Sequence, residues 1–170
     1  GFDAVQNHSS LEHNYIRDGF WAKNNGEEIP NQKLFVTFII RIEEVTRQAL
    51  NGVSSTMSES ERQSRIDKNT EALKKTIKKE PFQELLIRGF FENNQYFLFV
   101  TESYQDIRLV GAPPSAIGNF GKNTDNWVWP RHTGDFSLFR IYAGKDNKPA
   151  AYSPDNIPYT PKRSLSVSLD

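Results

Sequence analysis

The sequence contains no cysteine, which excludes disulfides and thiolate metal sites within it and leaves the redox compartment open. It has no excess of either charge, with 21 Lys and Arg against 21 Asp and Glu. No strongly basic block occurs, so nucleic acid finds no electrostatic footprint. No run of ~18 apolar residues is present, so nothing reads as a membrane span. Histidine is scarce as well. His8 and His13 lie five apart, His132 is remote from both, and none forms the His-x-x-x-His pattern of a helical metal site. Neither a metal nor a cofactor is expected. What remains is 170 residues, enough for one domain with a proper core. Twelve phenylalanines point to a core filled with large side chains. The first residue is Gly1 and no charged-then-apolar leader follows it, so the chain reads as a mature or excised segment.

Taken in order, Ser9 and Glu12 have the spacing of a capping box, and Leu11 and Tyr15 share one face of a short helix that ends at Asp18-Gly19. Phe20 and Trp21 read as a hydrophobic anchor, and Asn24-Asn25-Gly26 and Pro30-Asn31 as turns. Lys33 to Ile42 is almost continuously apolar, which predicts a strand buried on both faces or nearly so. Glu43 to Leu50 turns helical and stops at Asn51-Gly52. Ser58 to Lys79 is the clearest helix, with a Ser58–Glu61 capping box, Glu61–Arg65 and Glu71–Lys75 as i,i+4 ion pairs, and a narrow stripe of Ile66, Leu73 and Ile77. Its lysine-rich end reads as a solvated face. Glu84–Phe91, Gln95–Thr101 and Tyr104–Gly111 follow as strands, and their close spacing predicts hairpins. Asp135–Ala143 is a further strand, Gly144 to Pro161 an extended connection, and Ser164 to Leu169 a last strand. The fold class expected is mainly β with a helical insertion at about residues 43–81, an antiparallel α+β domain.

The run from Ile117 to Arg140 stands apart. It sets glycines, two tryptophans, a proline, a histidine and two aspartates between strand-like stretches. Connecting loops have a median of roughly 4–6 residues and seldom hold indoles, and loops on a rigid scaffold are where chemistry sits. His132 and Asp135 are three apart, but a triad also needs a nucleophile, and no serine stands in a Gly-x-Ser-x-Gly elbow. His132 therefore reads as a structural hydrogen-bonding residue. Asp135 opens an apolar strand, where a carboxylate must accept hydrogen bonds. It accepts them either from backbone amides of the preceding loop or from a histidine whose orientation it fixes. Trp127 and Trp129 face one side of an extended segment. They plug a barrel end, or they stack on a sugar or cage an amine. Asn126 and Asp125 set acceptors beside that aromatic surface.

These residues also carry a family resemblance. The run Gly118-Asn119-Phe120-Gly121 through Asp125-Asn126-Trp127-Val128-Trp129-Pro130-Arg131-His132-Thr133-Gly134-Asp135-Phe136-Ser137 resembles the bacterial dipeptidyl-peptidases seven and eleven. So do Gly1-Phe2-Asp3-Ala4-Val5-Gln6, Gly19-Phe20-Trp21-Ala22 and Tyr152-Ser153-Pro154-Asp155-Asn156-Ile157-Pro158-Tyr159. The resemblance implies a serine peptidase that releases dipeptides from peptide N-termini, built on a chymotrypsin-like antiparallel double β-barrel. Residues 1–170 would be a segment of its first barrel, with an extended connection at about residues 144–163. Asp135 matches the triad aspartate. Asn126 and Trp127 match the residues that hold the substrate's free amino group. The family's catalytic histidine stands just before the residue matching Gly1, in an Asn-His-His-Cys segment, and its serine and oxyanion glycines come much later. None of these is in the sequence, so the chain alone is expected to be inactive. The partners implied are peptides with a free N-terminus, the rest of the same polypeptide, and a second copy in a homodimer. The location implied is the periplasm or cell surface. A non-catalytic β module presenting Trp127 and Trp129 to a peptide or glycan is the alternative.

Overall fold

The computed structural model describes residues 2–118, 134 and 136–163. The chain divides into two compact units, Thr37–Ser103 and Gly1–Val36 together with Tyr104–Asp170. Every described strand pairing whose direction is defined is antiparallel, which is the α+β class expected from the sequence.

The Thr37–Ser103 unit is a three-stranded sheet with two helices. Strand β3 (Val36–Glu44), β4 (Gln83–Phe90) and β5 (Gln95–Tyr104) lie in the order β3-β5-β4. The β4–β5 hairpin runs in unbroken register from Gln83↔Glu102 to Phe90↔Gln95. Alternation puts Tyr96, Leu98 and Val100 of β5 on one face, where they pack with Val45, Ala49 and Ile66 of the helical segment. Helix α3 is one turn, Thr46–Ala49, and α4 runs Glu59–Thr76. The Ser58–Glu61 capping box forms as expected. Ile66 is buried, and Leu73 and Ile77 pack beside it. The carboxamide of Asn69 donates to the carbonyls of Ala49 (2.9 Å) and Asn51 (2.8 Å), satisfying the open end of α3 from α4.

Two expectations fail in this unit. Strand β3 is not buried on both faces, since Ile39, Ile40 and Ile42 are exposed. It is an edge strand, and the helices lie under β5 and β4, so a continuous apolar run does not report coverage. The ion pairs of α4 also differ from the expected Glu61–Arg65 and Glu71–Lys75, joining Lys74 to Glu71 and Arg62 to Glu59 one turn away.

The other unit holds β1 (Phe20–Trp21), β2 (Ile29–Pro30), β6 (Asp106–Ala112), β7 (Leu138–Ala143) and β8 (Ile157–Pro158). The sheet order is β1-β6-β7-β8, and β2 also pairs with β6. One face packs Leu109 and Ala112 against Val5, Tyr15, Ile16, Phe20, Ile29 and Phe139. Helix α1 (Phe2–His8) supplies Val5, and α2 (Tyr15–Asp18) supplies Tyr15 and Ile16. The expected Ser9–Glu12 box is not what starts the second helix. The Ser9 hydroxyl instead donates back to the carbonyl of Val5 (3.0 Å), and Asn14 caps α2 by accepting from the amide of Arg17. Gly19 closes α2 with φ at 74°, as a helix-terminating glycine does.

The junction between the two sheets also differs from expectation. Strands β5 and β6 do not form a hairpin but belong to different sheets. Only Gln105 separates them, and the tightest hairpins need a two-residue loop. The stretch after Gly144 is not wholly an extended connection, because β8 within it pairs with β7 through Tyr142↔Pro158 and Ala143↔Ile157. The strand expected over Ser164–Leu169 lies outside the described residues.

Candidate functional site

Asp135, Asn126 and Trp127, with His132 and Trp129, all lie outside the described residues. The frame that leads to them is described. Strand β7 begins at Leu138, three residues past Asp135. On the near side, the amide of Gly134 donates to the carbonyl of Ile117 (3.1 Å), and the amide of Phe136 donates to the carbonyl of Gly134 (3.1 Å). Ile117 belongs to the short helix α5 (Ser115–Gly118). Position 135 is thus bracketed by two anchored neighbours.

Along β7, Leu138, Arg140 and Tyr142 share the face opposite the apolar core. Their partners on β6 are Gly111, Arg108 and Asp106. Gly111 and Arg108 are three apart and would face opposite ways in a regular strand. The register shifts between Leu109 and Gly111, a bulge that returns both to one face.

That face carries a polar network. Glu28, only 6% exposed, accepts from Nε of Arg140 (2.8 Å) and from the hydroxyl of Tyr142 (2.9 Å). Burial and the Glu28 carboxylate push the Tyr142 hydroxyl up to about 12, so it stays a donor. The buried Asp106 carboxylate takes a two-pronged contact from Arg108 (2.9 and 2.8 Å) and a third bond from Asn156 (2.9 Å). Burial alone would raise that carboxyl, but the bonds from Arg108 and Asn156 outweigh it and hold it below the usual range. The Arg108 guanidinium lies 3.7 Å over the Tyr142 ring and donates to the carbonyl of Ser153 (3.1 Å). Among the described residues no buried side-chain nitrogen or oxygen lacks a hydrogen-bond partner. The network is therefore saturated. It serves to fix strands. Among the described residues no three His, Asp or Glu side chains gather to hold a metal, and His13 stacks on Tyr15.

Sequence reasoning did not single out Glu28, Arg108 or Tyr142. Asp106 and Arg108 leave one signal, opposite charges two apart in an apolar strand. Glu28 leaves none, because its partners stand more than a hundred residues away.

The peptidase S46 family model matches residues 1–170. The chain belongs to the peptidase S46 family. Its S46 relatives include an Asp/Glu-specific dipeptidyl-peptidase of Flavobacterium psychrophilum, 60% identical over the whole chain and 24% of that protein. A dipeptidyl-peptidase 7 of Capnocytophaga gingivalis is 46% identical over 99% of the chain and 24% of its own length. The crystal structure of Porphyromonas endodontalis DPP11 matches 98% of the chain at a TM-score of 0.83 and 42% identity, over 24% of that protein. The same protein in complex with the dipeptide Arg-Glu matches at 0.76. The chain thus spans about a quarter of the length of these S46 proteins.

Proposed function

We propose that the chain is a segment of a serine dipeptidyl-peptidase that releases dipeptides from peptide N-termini and that contributes the triad aspartate, Asp135. The observation that carries this reading is the 60% identity to an Asp/Glu-specific dipeptidyl-peptidase along all 170 residues. A second relative of that specificity is 56% identical, which favours cleavage after an acidic second residue. In this reading residues 1–170 belong to the first β-barrel of a chymotrypsin-like catalytic domain, with a helical insertion at about residues 43–81. The stretch at about residues 144–163, which carries β8, follows the barrel strands. The remaining polypeptide supplies the histidine, the serine and the oxyanion hole, and the enzyme acts in the periplasm or at the cell surface as a homodimer.

The division of labour follows from the chemistry. Asp135 accepts the Nδ1 proton of the histidine, fixes its tautomer and stabilises the imidazolium formed when the serine hydroxyl is deprotonated. Asn126 and Trp127 hold the substrate's ammonium, Asn126 through its carbonyl oxygen and Trp127 by bordering the cation with its ring. A free N-terminus is thereby required, and the cut falls two residues in. His132 takes no part in proton transfer. The 60% identity to a dipeptidyl-peptidase along the whole chain favours this reading over a non-catalytic aromatic peptide- or glycan-binding β module.

The test is carried out in the full-length protein with chromogenic dipeptidyl substrates ending in Asp or Glu. Asp135→Asn is expected to lower kcat by about 10⁴, as the same change does in a trypsin-type triad by imposing the wrong histidine tautomer, with an unchanged melting temperature. Asn126→Ala is expected to lower kcat/KM for free-amine substrates, and His132→Ala to cost far less. Near wild-type turnover in Asp135→Asn, with turnover lost in folded His132→Ala, reverses the roles and ends the assignment.

A further inference from the structure

Trp21 is an apolar side chain that folding does not account for. It is 53% exposed, yet its place is tightly specified. Trp21 pairs with Gly111 of β6, and Gly111 pairs with Leu138, so one row crosses three strands at the very start of β7. A Cβ on Gly111 would run into the six-membered ring of the Trp21 indole, so the ring rests on bare backbone where β6 bulges. The indole also leans on Phe136, with ring centroids 6.1 Å apart and planes at 59°. Phe136 and Leu138 are each 47% exposed. A half-exposed pair of rings, Trp21 on Phe136, adds little to a core, but it braces a segment.

The braced segment is the one next to Asp135. Phe136 is its covalent neighbour, and the Phe136 amide is tied to Gly134 on the other side. We propose that Trp21 is a positioning residue, whose indole, seated on Gly111 and against Phe136, holds the backbone on either side of position 135 in the register that the triad requires. This inference rests on the reading of Asp135 as the triad aspartate. The bulge has the same logic, since bulges next to active sites re-aim a side chain. Gly111 is the residue that lets β6 carry both the bulge and the indole.

The experiment compares Trp21→Ala, Trp21→Phe, Gly111→Ala and Asp135→Asn in the full-length enzyme, with kcat, KM and the pH profile of kcat/KM measured beside thermal melts. Trp21→Ala should lower kcat by ~10²-fold, the size of effect a displacement of about 1 Å produces, with KM within about twofold. A carboxylate that no longer faces the imidazole stabilises its charged form less. The histidine pKa then falls, and the acidic limb of the profile moves to lower pH. Trp21→Phe keeps a flat ring on Gly111 and should recover most of kcat. Gly111→Ala keeps the indole but drives it off its seat, and should reproduce the signature of Trp21→Ala. Trp21→Ala with wild-type kcat and an unmoved acidic limb overturns the proposal, as does a loss that appears only as a raised KM. A loss fully explained by the unfolded fraction, with the limb unmoved, also overturns it. If Asp135→Asn collapses turnover while Trp21→Ala does not, this inference alone fails. If Asp135→Asn is itself near wild type, the triad reading fails and takes the inference with it.

Discussion

Asp106 and Arg108 stand two apart on β6, both buried, and each is satisfied mainly by the other. A buried charge without its partner is strongly unfavourable, so Asp106→Asn should destabilise the protein by about 3–5 kcal/mol at neutral pH. The loss arises because Arg108 keeps its charge at any accessible pH and its guanidinium stays pinned under Tyr152 and Ser153. The pH dependence follows from the depressed Asp106 pKa. The folded carboxyl titrates below its ordinary value of 3.8, so the folded state holds fewer protons than the unfolded chain in that window. Its stabilisation is fully present above the unfolded value and is lost as pH falls through the folded one. Urea melts of wild type and variant should show a constant gap from pH 7 to pH 5 and a closing gap below about pH 4. A gap that does not change down to pH 2 would mean that the carboxylate charge is not what Arg108 needs.

Among the elements, α4 is the clearest case of packing deciding over local signals. Its surface ion pairs each join an exposed carboxylate to a half-buried base and are worth roughly 0.2–0.5 kcal/mol each. The Ser58 cap contributes about 1 kcal/mol. Ile66, buried against Tyr96, Leu98 and Val100, should outweigh them, with Ile66→Ala costing about 2–5 kcal/mol and Ser58→Ala about 1 kcal/mol. Chemical denaturation of the two variants side by side is the check, and equal costs would show that α4 is held by its own turns and not by the sheet. The start of α4 is legible in the sequence because a capping box is a local code of four residues. The β4–β5 hairpin is legible for a similar reason. Its turn puts Phe91, Glu92 and Asn93 at positive φ, the left-handed region, at a spacing that admits only antiparallel return. The exposure of β3 is not legible, because apolarity states what a strand prefers, not which neighbours cover it. The β5–β6 junction is not legible either, because proximity in sequence does not decide which sheet a strand joins.

For the molecule as a whole, the candidate site residues are legible as an unusual composition in one run of sequence, whereas the described frame on either side of that run is not. Glu28 clamps Arg140 and Tyr142 across more than a hundred residues, and Trp21 reaches Phe136 across a similar distance. Contacts of that span leave no periodicity, only residues whose individual identities look ordinary. The same separation governs activity. In its relatives a chain of this size accounts for about a quarter of the enzyme. In the proposed mechanism, one carboxylate orients a histidine but supplies neither nucleophile, nor base, nor oxyanion hole, and these act as a unit. The purified 170-residue chain should therefore fold and yet release no dipeptide from Asp- or Glu-terminated substrates above the buffer rate. The measurement is fluorogenic turnover at high protein concentration, with the Asp135→Asn chain prepared identically to account for contaminating peptidase. Equal residual rates in both preparations belong to a contaminant and leave the chain inactive as expected. Turnover present in the wild-type chain and absent from Asp135→Asn would place the nucleophile and its base within these 170 residues, and the division of the triad between this segment and the rest of the polypeptide would fall.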